Sequence, residues 1–153
     1  MDKRAFTLVE LLVVVVMLSI LAAIAVPRFS SATDDARSAS TQSTLAGVRS
    51  AIATYRMNAV ISGEDPFPDV NVLTGGTVVK FDIPPNPYTG VSGVQSVSSS
   101  QAQNRSVVGE SSAGWNYFVD NTATPPVAIF YSNCDEASAV ENGSGGVLGA
   151  NEL

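Results

Sequence analysis

The chain has 153 residues, a formal net charge of −6, no histidine and a single cysteine, Cys134. That length holds one domain plus whatever an apolar N-terminus does, and the acidic balance argues against nucleic acid as a direct partner. Lacking histidine, the chain is excluded from Ser-His-Asp and Cys-His chemistry, and one cysteine forms no intramolecular disulfide.

Cys134 reads as a small, half-buried hydrophobe. No set of nucleophile, base and acid stands out, so the chain reads as a structural or binding protein and not an enzyme.

The first element is an apolar run, Phe6 to Val26, 21 residues interrupted by Thr7, Glu10 and Ser19. A helix of that length is roughly 31 Å long, close to the hydrocarbon thickness of a bilayer. Lys3 and Arg4 precede it, which places the N-terminus in the cytoplasm and the remainder across the membrane. A secretory signal peptide is one reading, with Ala23-Ile24-Ala25 as its small-x-small cleavage site. That reading implies a secreted or membrane-anchored binding module released by ordinary signal peptidase. A plain single-pass anchor is another. Neither explains Glu10, because an unpaired carboxylate among apolar side chains is expensive.

Residues Phe6-Thr7-Leu8-Val9-Glu10, with a short basic leader before them and the apolar helix to Pro27 after them, resemble the N-terminal segment of type IV pilins and type II secretion pseudopilins. The resemblance implies that a prepilin peptidase cuts between Ala5 and Phe6 and methylates the new Phe6 amine. It implies that Glu10 of one subunit neutralises the Phe6 amine of another during assembly, and that calcium is a candidate ligand, since major pseudopilins of type II secretion often bind it in their C-terminal loops. The family usually has glycine where this chain has Ala5. The partners it implies are identical or related pilin-like subunits, the peptidase and an inner-membrane assembly platform. The implied location is the bacterial inner membrane, single-pass, with the head periplasmic or extracellular.

Pro27 removes a backbone donor and is expected to loosen the helix as a joint. From Arg28 to about Met57 the pattern is amphipathic again. Phe29, Ala32, Ala36, Ala39 and Ala46, then Leu45, Val48, Ile52 and Tyr55, recur at spacings of three and four. Carried to about Ala59, the helix would be roughly 80 Å long if straight. A helix that long needs partners along it, which favours a filament.

Gly63 and the segment "EDPFPD" end the helix. Strands are expected at Thr77–Ile83, Gly114–Asp120 and Val127–Asn133, the last two joined by the turn-forming "NTATPP". Trp115, Tyr117, Phe130 and Tyr131 are the expected core aromatics. The fold class is α+β: a long N-terminal helix with a small antiparallel sheet laid on its C-terminal half, which is also the pilin-like arrangement.

The expected organisation is a leader at 1–5, a membrane and assembly helix at 6–26 and its amphipathic continuation at 27–60. A head follows at 61–134, with a variable loop at about 91–113, and then a flexible tail at 135–153. Asp65 with Asp69, or Asp135 with Glu136 and Glu141, are the acids on which calcium would have to sit, but none matches a ligand-loop spacing, and no cofactor is expected. The function expected is a filament subunit processed by prepilin peptidase, foremost in type II secretion. The alternative within the family is a type IV or minor pilin for adhesion, motility or DNA uptake.

Overall fold

A computed structural model describes residues 6–153, with side chains at all of them except 27–30. The chain divides into two compact units, the first ending at Asp34 and the second running from Asp35 to Leu153. Helix α1, Leu8–Ser62, contributes residues to both.

In the first unit the large apolar side chains from Phe6 to Val26 are between 43% and 80% exposed. The β-branched run Val13–Val16 is helical despite its stiff χ1 angles. Ser19 returns its hydroxyl to the Val15 carbonyl at 2.8 Å, so it spends no donor on the surroundings. Helix α1 is long and apolar enough to cross a membrane. So wide an exposed apolar surface marks a contact with a membrane or with another protein.

The second unit is built on the C-terminal half of α1. Ser38, Thr41, Leu45, Val48, Ile52 and Ala59 are buried at alternating spacings of three and four, or their sum, and Thr44 is buried beside them. After α1 come α2 (Val70–Thr74), β1 (Val94–Ser96), α3 (Ser99–Gln103), β2 (Trp115–Asp120) and β3 (Val127–Ser132). The chain ends with β4 (Ala137–Glu141), β5 (Val147–Gly149) and a short 3-10 turn at Ala150–Glu152. Strands β2 and β3 pair antiparallel, with Trp115 opposite Ser132 and Tyr117 opposite Phe130. Strand β1 adds to the β2 edge in parallel, Val94 opposite Trp115.

Strand alternation sorts the side chains of this sheet onto two faces. Trp115, Tyr117 and Phe130 point to Leu45, Val48 and Ile52, and Phe67, Leu73 and Val79 close the same core. The Trp115 and Phe130 rings stack at 5.7 Å and 17°. Polar tips are satisfied: the Trp115 indole N–H donates to the Pro84 carbonyl at 2.9 Å, and the Tyr117 hydroxyl to Pro68 at 2.8 Å. On the opposite face Tyr131 packs with Val97 and with Ala102 of α3.

The sheet on the helix and the four core aromatics agree with the sequence-based expectation; other elements differ. Thr77–Ile83 forms no strand: Val79 is buried in the core, but the β2 edge is taken by β1. That strand and α3 lie inside the 91–113 segment expected as a loop. Helix α3 is set by a capping box, in which the Ser98 side chain accepts from the Gln101 N–H and Gln101 accepts from that of Ser98.

The tail at 135–153, expected to be flexible, is the β4–β5 hairpin and its 3-10 turn. Asn142 organises the hairpin loop, its Oδ1 accepting from Ser144 N at 2.9 Å and Gly146 N at 3.1 Å, while Gly143 and Gly145 take φ of 75° and 85°. The Ala139 N–H then donates to Ser38 on α1 at 2.8 Å, which ties the hairpin to the helix. Ala36, Ala39 and Ala46, expected on the packed stripe, are exposed; Ser38 and Thr41 take the buried face instead.

Among the described residues the Thr41 hydroxyl is buried without a hydrogen-bond partner. Replacing it by the isosteric T41V removes an unsatisfied polar group. We expect a gain of about 1 kcal/mol, read as a higher melting temperature of the full chain in detergent.

Candidate functional site

The N-terminal site begins where α1 begins. Thr7 precedes the first helical residue, and its hydroxyl accepts from the Glu10 main-chain N–H at 3.2 Å, while its carbonyl accepts from Leu11 at 3.2 Å. Thr7 is therefore the N-cap, and it satisfies one of the four donors that a helix start leaves open. In an apolar setting those donors have no water to turn to, so the cap matters more there. The spacing Thr7-x-x-Glu10 is that of a capping box, a signal present in the sequence but masked by the oddity of the acid itself.

Glu10 falls in the first turn of α1, where the helix dipole favours a negative charge. Its side chain is exposed, and among the described residues its carboxylate has neither a hydrogen bond nor an ion pair. Phe6 stands just outside the helix, 79% exposed. The expected cut lies between Ala5 and Phe6, and Ala5, with the rest of the 1–5 leader, is outside the described residues. Pro27 falls inside α1, with helical residues on both sides.

The acids named for calcium are placed as follows. Asp69 caps α2, accepting from Val72 N at 2.9 Å. Glu136 sits 3.9 Å from Arg37, both of them well exposed. Among the described residues no three such acids come together with metal-binding spacing. Cys134 is buried, and its Sγ accepts from the Glu136 N–H at 3.4 Å. Burial, helped by nearby acids, pushes its thiol up from the ordinary value, which keeps it protonated and a poor nucleophile at neutral pH.

The family model described as the prokaryotic N-terminal methylation motif matches residues 1–26. The type IV narrow pilus major component PilA5 of Thermus thermophilus is 41% identical over 86 residues, covering 54% of this chain and 74% of that one. The chain belongs to the type IV pilin family. Among solved structures none matches it.

This pilin thus joins a family of structural subunits, and the motif takes in Phe6, Thr7 and Glu10 together with the uncovered apolar half of α1. The head of the pilin is a separate construction, an α+β unit organised on residues 38–59 of α1. The matched motif therefore sits at one end of the sequence and the folded head at the other.

Proposed function

We propose that this pilin is the structural subunit of a type IV pilus filament, held in the inner membrane by residues 6–26 of α1 until it polymerises. The observation that carries the reading is the coincidence of the methylation motif, residues 1–26, with an apolar helix whose large side chains are exposed among the described residues. Lys3 and Arg4 keep the N-terminus cytoplasmic, and the head lies across the membrane. A prepilin peptidase cuts between Ala5 and Phe6, and the freed Phe6 amine is methylated. Glu10 of an incoming subunit pairs with that amine on a neighbour, and an inner-membrane platform drives the addition. Pro27, which has no N–H to give to the helix, serves as the joint after the membrane half.

The pilus reading is favoured over a type II secretion pseudopilus because the Thermus relative is a pilus component. Intact mass and N-terminal sequencing of sheared surface filaments test the proposal. A chain that starts at methylated Phe6 supports it. A start at Val26, the product of ordinary signal peptidase, overturns it in favour of a released binding module.

A further inference from the structure

Five basic residues and eleven acids occupy positions 35–153, so the head is acidic overall. Three of those five, Arg49, Arg56 and Arg105, nevertheless line one cleft of about 410 Å³, and none of its lining side chains is acidic. Like charges brought together in this way repel unless an anion joins them.

Each guanidinium is anchored rather than loose. Arg49 Nη2 donates to the Phe130 carbonyl at 3.2 Å and to the Leu153 main-chain oxygen at 3.0 Å. Arg56 lies over the Phe67 ring at 5.0 Å, and Arg105 over Tyr131 at 5.6 Å. Arg105 also holds a left-handed backbone with φ of 51°, rare for a side chain of its size. Asn151 clamps it there, its Nδ2 donating to the Arg105 carbonyl at 2.7 Å. The nearest acid in sequence, Glu152, is engaged with Gly149 N at 2.8 Å. Burial, and after it the proximity of Arg105, pull the Arg49 guanidinium below its ordinary value.

We infer that this cleft docks a carboxylate-bearing segment of a second copy of the pilin, making it a head-to-head contact of the filament; the inference rests on the filament reading. A guanidinium keeps five donors in a fixed fork that matches a carboxylate, and the anchoring bonds leave donors free on all three arginines. Charge complementarity selects the occupant. On the head of a neighbouring copy acids outnumber bases eleven to five, and this cleft gathers three of the five cations that can answer them. The cleft also adjoins an apolar strip on the last turns of α1, Met57, Val60 and Ile61, which are 66%, 65% and 85% exposed and share Ala53 and Arg56 with it. A partner seated there would bury the strip and dry the ion pair, which strengthens it.

The test uses full-length pilin assembled into filaments from an equal mixture of isotopically labelled and unlabelled chains. The R56K variant keeps the charge and adds a primary amine that a carbodiimide joins to an abutting carboxylate. We expect mass spectrometry to find cross-links between a labelled chain at position 56 and an unlabelled acidic peptide. The R56E/R105E double variant is expected to reduce filament yield at least tenfold while membrane level and N-terminal processing are unchanged. Filaments that form normally with R56E/R105E, or that give cross-links only within one chain, overturn the inference and leave the filament reading intact. Wild-type chains that are processed but never polymerise overturn both. Calorimetric titration of the detergent-solubilised full chain with inorganic phosphate distinguishes the source of the anion. Saturable binding lost in R56E/R105E, without intermolecular cross-links, assigns the cleft to a free anion and overturns the second copy.

Discussion

E10A pilin is expected to be cut, methylated and inserted like the wild type, and then to fail at incorporation into filaments. Insertion is not at risk, because removing a carboxylate from an apolar segment removes a cost that reaches about 2.5–3.5 kcal/mol at a helix centre. Docking is at risk for the opposite reason. If a neighbour's Phe6 amine is buried against Glu10, truncating the acid strands that amine without a partner, a loss of about 2–5 kcal/mol. On the equilibrium constant this is roughly 30-fold or more. The isosteric E10Q separates charge from shape, since it keeps size and hydrogen bonding and is expected to fail nearly as badly. Two measurements decide: N-terminal mass of the membrane-held chain, and the share of chains recovered in sheared filaments. Normal incorporation of E10Q would sink charge pairing and leave Glu10 only its place beside the helix N-terminus.

The parts of this pilin that follow from apolar periodicity are legible in its sequence. The run from Phe6 to Val26 declares its medium by length alone, and Trp115, Tyr117, Phe130 and Tyr131 declare β2 and β3 by alternation. The polar half of the fold is not legible in the same way. Strand β1 reads Val94-Gln95-Ser96 and carries no hydrophobic alternation; its Gln95 amide donates to Asn116 Oδ1 at 2.8 Å instead. The α1 face at Ser38 and Thr41 is buried although neither side chain is apolar, because small hydroxyl residues allow close approach of the β4–β5 hairpin. Asn142-Gly143 is a turn signal, but a glycine-rich segment without large side chains reads as tail. At the functional end, Glu10 betrays itself by its cost while Thr7 hides beside it, since a capping hydroxyl attracts no suspicion in an apolar run.

That polar half is also where the head is most vulnerable, and N133A is expected to destabilise it strongly. Asn133 is fully buried between β3 and the 91–113 segment. Its Oδ1 accepts from Val108 N at 2.7 Å and from Asn116 Nδ2 at 2.9 Å. Its Nδ2 donates to Val108 O at 2.9 Å and to Ala113 O at 2.8 Å. After truncation the Val108 carbonyl keeps Gln95 and the Asn116 amide keeps Ser106, but the Val108 N–H and the Ala113 carbonyl lose these partners. Each stranded buried group costs about 1–3 kcal/mol, and the vacated volume adds to that. A total near 4 kcal/mol is a large part of the 5–15 kcal/mol that ordinarily separates folded from unfolded.

Gly114 shows how little room there is for the segment to shift in compensation, because a Cβ there would collide with the Val91 carbonyl oxygen. The near-isosteric N133D is expected to be worse than N133A at neutral pH, since it sets a carboxylate against the Val108 and Ala113 carbonyls. Burial raises the pKa of that acid above its unfolded value, so the destabilisation is full above the folded-state pKa and eases as pH falls through it. Thermal melts of full-length pilin in detergent at two pH values read this directly. The two failures also differ in the cell: N133A should lower the amount of pilin held in the membrane, whereas E10A should leave that amount unchanged and empty the filaments. A variant at Asn133 that melts within a degree of the wild type would show that the buried amide network is not what holds the head together.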